Sequence, residues 1–224
     1  MIKIESVEVF GWESAIRGMR NPMNSWEKSD SGYVTEVDEG GFEAEFYNIG
    51  ENDLELMKKL VKAGTDHSKF MRMINVTLDI TAPLYWWKEF DTYKVGTVRN
   101  SCSTMHKIAE KEFTLDDFSH EHLIPEAESF LSDIIDCLND TRKAHLYYDE
   151  EKDKLAVDID KKGLWWQMIQ LLPSSYNQRA TVQLNYAVLR NMYHSRKKHK
   201  LDEWKDFCKW VETLPYAKEL ICYE

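Results

Sequence analysis

Hydrophobic and polar positions alternate most cleanly at Ile74, Val76, Leu78 and Ile80, with Asn75, Thr77 and Asp79 between them. Strand side chains point to opposite faces in turn, so residues 73–80 are predicted to form a strand with one buried face. Residues 2–10 alternate in two pieces, Ile2 and Ile4, then Val7 and Val9, and the slip of one position predicts an edge strand with a bulge. From Asn52 or Asp53 the period lengthens: Leu54, Met57, Leu60 and Val61 share a helical face, and Gly64 ends the helix. Pro83 stops the strand at 73–80, and residues 84–90 suit a short helix with proline at its start. A long helix is predicted over 126–147, with Phe130, Ile134, Cys137 and Leu138 inward, and another over 163–172, ending before Pro173. Residues 176–210 read as one or two long helices, with Val182, Tyr186, Leu189 and Tyr193 as an apolar stripe. The punctuated stretch 11–50 suits loops and a short hairpin closing on a core, and 91–104 a polar loop.

The stripe contains an anomaly, Asn185. A side-chain amide on a buried strip costs about 1–3 kcal/mol if unpaired, so it needs a protein or ligand partner. Arg196 stands 11 residues on. Eleven residues are close to three full turns, so the two are expected to share one helical face about 16 Å apart, a span suited to a ligand of nucleotide size or larger. The bland alternative is that Asn185 satisfies nearby backbone while Arg196 opens a solvated basic run with Lys197 and Lys198.

Composition narrows the classes. At 224 residues and 43% hydrophobic content, the chain can bury the core of a single domain over 1–224. A net charge of −10 repels a phosphate backbone, so no nucleic-acid partner is expected. Four scattered cysteines without a C-x-x-C pair read as reduced structural thiols. The start lacks a basic leader before an apolar core, and no window approaches the ~18 apolar residues of a membrane span. A cytoplasmic protein with no membrane partner is the expectation. His194 and His199 are five apart where a zinc helix needs a spacing of four, and the His120-Glu121-His122 run suits a polar loop, so no metal site is expected. No nucleophile elbow, P-loop or dinucleotide-binding glycine motif is present.

Two stretches, from His67 through Thr81-Ala82-Pro83 to about Ile108 and from Leu172-Pro173 to Arg196, resemble the flavin-dependent thymidylate synthases, the ThyX family. Asn185, Asn191 and Arg196 stand at the spacing of that family's N-x5-N-x4-R segment. The resemblance implies an α/β (α+β) fold, a central, mainly antiparallel sheet flanked by helices, assembled as a homotetramer with sites where subunits meet. It implies that Arg196 polarises the uracil ring of dUMP as the catalytic residue, that Arg179 holds the nucleotide phosphate, and that Asn191 lies near the nucleotide. It sets His67 and Asn185 beside the flavin. The family signature R-H-R-x-x-S-x-N-E-x-S-x-R falls on Thr92, Tyr93 and Lys94, then Thr97, Arg99, Asn100, Cys102 and Thr104. Tyr93 and Lys94 therefore stand where flavin contacts belong, and a lysine cannot reproduce a guanidinium fork. Arg99, Ser101, Ser103 and Thr104 still supply donors for an anion. The resulting expectation is a nucleotide-binding protein for sequestration, sensing or regulation. The alternative is a divergent flavin-dependent thymidylate synthase or a pyrimidine-nucleotide C5-methylating or hydroxymethylating enzyme, using FAD and a folate. A scaffold with an empty pocket is the third reading.

Overall fold

The computed structural model describes residues 2–37, 40–149 and 159–223. Their four-stranded sheet has the order β1 (Lys3–Phe10), β4 (Asn75–Pro83), β6 (Asn177–Asn185), β5 (Val98–Ser101), and β2 (Gly32–Val37) pairs antiparallel with β3 (Glu43–Asn48) in a separate hairpin. The helices are α1 (Trp12–Arg20), α2 (Glu51–Lys62), α3 (Leu84–Phe90), α4 (Thr104–Lys107), α5 (Pro125–Leu146), α6 (Lys161–Leu171), α7 (Tyr186–Arg196), α8 (Asp202–Val211) and α9 (Ala217–Leu220). This is a mixed α/β fold with antiparallel strand pairing, as expected. The chain divides into two compact units, one of Met1–Ile4, Ile80–Thr92 and Asn100–Thr181, the other of Glu5–Asp79, Tyr93–Arg99 and Val182–Glu224.

In the first unit, Leu131, Ile135 and Leu138 of α5 pack with Met168 of α6 and with Ile108, Phe113 and Phe118. Buried Asn139 closes this core: its amide donates to Phe113 O and its Oδ1 accepts from Phe113 N, both at 2.9 Å. The expected face of α5 holds at Leu138, with Ile134 packed against the core, and is corrected at its other two positions, where Leu131 and Ile135 face inward instead. Phe130 is 70% exposed and Cys137 is exposed, because the apolar stripe begins one residue, about 100° of turn, later than the one chosen. Trp86, Trp87 and Phe90 of α3 are buried together, and the Trp87 indole donates to Gln178 O at 2.9 Å.

In the second unit, the expected strand at 73–80 and helix from Asn52 both form. Val76 and Leu78 are fully buried, Met57 and Val61 face inward, and Gly64 takes the left-handed φ of 106° just beyond the helix. The slip in β1 falls at Ser6, whose φ is 53°. Four expectations along the chain are corrected. Residues 12–20 are helical rather than loop: Trp12, Ala15, Ile16 and Met19 recur at helical spacing, all buried. The expected hairpin forms but does not close on a core, since β2 and β3 pair only with each other and Tyr33, Val37 and Phe42 are more than 60% exposed. Residues 177–185 form a strand, because Ala180, Val182 and Leu184 are buried and Arg179, Thr181 and Gln183 exposed, a period of two; the helix starts at Tyr186. The polar segment 91–104 likewise contains β5.

The second unit also contains a buried ion pair. Arg20, 4% exposed, donates from Nε to Asp53 Oδ1 at 2.6 Å, and its other nitrogens reach Ser25 O and Lys28 O. Asp53 Oδ2 accepts from the hydroxyls of Ser29 and Ser31 and from the amides of Asp30 and Ser31. Burial opposes ionisation of Asp53, but the hydrogen bonds from Ser31 and Ser29 together with Arg20 outweigh it and hold the carboxyl below the ordinary range.

Candidate functional site

The sequence-predicted residues fall into two groups, each within one unit. In the second unit, Arg196 is the last residue of α7, where a cation also suits the helix dipole. Its Nε donates to the Tyr93 hydroxyl at 2.9 Å, and its guanidinium carbon lies 4.9 Å from the ring centre of Trp204 and 5.6 Å from that of Tyr93. Trp204 is fully buried on α8, and its ring stands at 63° to Tyr93 with centres 6.1 Å apart. A half-buried guanidinium is thus held by two aromatic residues, Trp204 and Tyr93, the second of which also accepts its hydrogen bond. Such a group offers planar, paired donors to a carbonyl or phosphate.

Asn185 has a local explanation. It is not on a helical stripe but is the N-cap of α7, in extended conformation, and its Oδ1 accepts the Val188 N–H at 3.1 Å. The anomaly of a buried amide is resolved by the helix it starts. The expectation that Asn185 and Arg196 share one helical face is corrected accordingly. The Tyr93–Arg99 segment crosses this cap at Gly96: φ there is 79°, and a Cβ would lie 2.9 Å from Asn185 Nδ2 and 3.2 Å from Val188 Cγ2. Next to it, the Thr97 hydroxyl is buried with no hydrogen-bond partner among the described residues. Lys94 is exposed, as are Asn191 on α7 and His67 in the turn after α2. Asn191 Oδ1 accepts from Ser195 at 3.5 Å.

In the first unit, β5 and β6 bring the expected phosphate-binding residues together. Cys102 N donates to Arg179 O at 2.9 Å, so the Ser101–Thr104 segment lies beside exposed Arg179. Gln178 Nε2 reaches Cys102 O at 2.9 Å and Thr104 Oγ1 at 3.0 Å. Ser103 caps α4 by accepting the His106 N–H at 3.2 Å. Ser103 and Thr104 hydroxyls therefore act as acceptors in these bonds, which leaves their O–H as the donor an anion requires.

Trp204, Gly96 and Gln178 were not singled out from the sequence, and only the left-handed preference of glycine marked one of them. Two of the histidines weighed as ligands lie within hydrogen-bonding distance of backbone carbonyls: His120 Nδ1 is 2.9 Å from Phe118 O, and His194 Nε2 is 2.9 Å from Ile221 O. No helix among the described residues is long and apolar enough to cross a membrane.

No protein-family profile matches the chain, and none of the curated proteins compared with it matches. Solved structures do. One crystal structure of the flavin-dependent thymidylate synthase ThyX of Helicobacter pylori, complexed with FAD and dUMP, superposes with a TM-score of 0.64 at 16% identity over 98% of this chain and 97% of that one. A second, also with FAD and dUMP, gives a TM-score of 0.65 at 16% identity over 99% and 97%. At that identity the likeness speaks for architecture: this chain has a ThyX-like fold.

Proposed function

We propose that this protein binds a pyrimidine nucleotide, or a ligand derived from one, at the subunit interfaces of a homotetramer, and that it serves sequestration, sensing or regulation rather than flavin-dependent turnover. The observation that carries the reading is Arg196, held against Tyr93 and Trp204 with its planar group oriented. Arg179 with Ser101, Ser103 and Thr104 supports a phosphate-binding role, and Asn191 is assigned to the nucleotide side. The ThyX structures of the same fold carry dUMP, which makes it the first ligand to try.

FAD fits the residues poorly. At the flavin-side triplet the Thr92 hydroxyl donates to Glu89 O at 2.7 Å, Tyr93 accepts from Arg196, and Lys94 alone supplies a cation. Asn185 uses its Oδ1 to cap α7. The triplet's own side chains therefore offer a pyrophosphate one point charge where recognition calls for paired donors. His67 is assigned to the flavin side by the resemblance alone. The enzyme reading, with FAD and a folate, is favoured by the FAD in both ThyX structures. Thermal unfolding with a panel of mono-, di- and cyclic nucleotides tests the proposal, because binding to the native state raises the melting temperature. A rise with pyrimidine nucleotides is expected; no rise with any nucleotide refutes it.

A further inference from the structure

A cavity of about 630 Å³ in the second unit lies between the start of α1, the β2–β3 hairpin and the Pro215–Tyr216 turn, and includes none of the residues assigned to the nucleotide. Its walls are aromatic: Phe10, Trp12, Tyr33, Phe46, Tyr47 and Tyr216. The charged side chains among its lining residues are the carboxylates Glu13 and Glu45, without a lysine or arginine. Arg17 pairs with Glu13 from outside the lining at 3.7 Å, with both side chains more than half exposed, a geometry that solvent screens.

One wall is fixed from behind. Buried Tyr186 donates its hydroxyl to Pro215 O at 2.8 Å, which holds the turn, and Tyr216 adopts a left-handed φ of 53°. A bulky residue rarely adopts that conformation unless its surroundings impose it. Trp12 stands edge-on to Tyr186 and to Tyr216, with centres 5.3 and 5.5 Å away. On the hairpin, Tyr33 and Tyr47 are directly opposite in register and meet edge-to-face at 5.1 Å. Tyr33 and Phe46 are 61% and 42% exposed, rings presented rather than packed away. The local field is negative: the Tyr47 hydroxyl is pushed up first by burial and then by Asp53 and Glu13, with Arg17 opposing.

Ring faces carry negative quadrupole density, and carboxylates at their rim reinforce it, so such a cavity attracts cations and repels phosphates. Its volume is in the range of small-molecule sites. We propose that this cavity is a second binding site, separate from the nucleotide residues, for a compact organic cation of the aromatic or quaternary ammonium class. Glu13 and Glu45 supply the charge, and Tyr33, Tyr47, Trp12 and Tyr216 supply the aromatic faces.

Calorimetric titration of the full chain with benzyltrimethylammonium, and with benzenesulfonate as an anion of similar size, tests this. The cation is expected to bind at one site and the anion not to bind. The Glu13→Gln, Glu45→Gln double variant and, separately, Tyr33→Ala are each expected to weaken the cation about tenfold or more, with unchanged circular dichroism and unchanged response to dUMP. Tyr33 and Glu13 are exposed, so these variants are expected to fold. The proposal is overturned by absence of cation binding, by equal binding of benzenesulfonate, or by undiminished binding in the carboxylate double variant. Each of these is independent of whether a nucleotide binds.

Discussion

Arg20 and Arg196 place the same guanidinium in the same compact unit, and their surroundings use it in opposite ways. Arg20 is inside, its fork distributed over Asp53 Oδ1, Ser25 O and Lys28 O, and every one of these partners tightens the segment between α1 and α2. Arg196 sits half-buried at a helix end, its guanidinium carbon over the Trp204 ring and its Nε on a phenol. The first arrangement saturates an ion pair and joins segments far apart in sequence. The second orients a charged plane on an aromatic support. Residue type is identical in the two, so the distinction between a structural joint and the proposed recognition element rests on the partners.

If Arg20 is a structural joint, breaking it should give the largest effect. Asp53→Ala leaves a buried guanidinium uncompensated and is expected to cost about 3–5 kcal/mol in urea unfolding. Replacing both partners by apolar residues, Arg20→Met with Asp53→Leu, is expected to cost clearly less. Because the folded pKa of Asp53 is depressed, its contribution is fully present above the unfolded value of about 4 and is lost as pH falls through the lower folded value. The stability of the wild type should therefore fall more steeply below pH about 4 than that of Asp53→Ala. Equal acid slopes would remove Asp53 from this role.

The mounting of Arg196 is tested at the other end of its helix. Gly96→Ala combines a left-handed φ with a Cβ 2.9 Å from Asn185 Nδ2, and is expected to cost about 1–3 kcal/mol and to weaken nucleotide binding with it. Asn185→Ala removes the cap of α7, for about 1 kcal/mol, measurable in the same unfolding series. Asn185→Asp, which keeps the capping oxygen, should recover most of that loss. The smallest stability change belongs to Arg196→Lys, within about 0.5 kcal/mol, while the nucleotide-induced rise in melting temperature is lost. A large destabilisation with ligand response intact would make Arg196 a second joint like Arg20.

Where one period ran undisturbed, the sequence was legible: β4 with strict alternation, α2 with its terminal glycine, α3 behind Pro83, and α6 before Pro173. At β6 two periods overlap, because Val182 and Tyr186 are four apart and fit a helix while Ala180, Val182 and Leu184 fit a strand. Burial of the latter three decided it. In α1 the punctuation on either side hid a helical stripe that was present all along. For the site, the resemblance pointed to Arg196 and Tyr93 separately, but their contact spans 103 positions and no local spacing encodes it. Trp204 carried no mark that set it apart from core tryptophans. The Arg20–Asp53 joint links residues 33 apart across a segment read as loops, and depends on Ser29 and Ser31 being folded back onto the carboxylate.

The central claim, a nucleotide site without flavin, is tested most directly by titrating the wild type and Arg196→Lys calorimetrically with dUMP and with FAD. The account predicts that dUMP binds the wild type, that Arg196→Lys loses this binding, and that FAD binds neither. Stoichiometric FAD binding to the wild type, or dUMP affinity unchanged by Arg196→Lys, would contradict it.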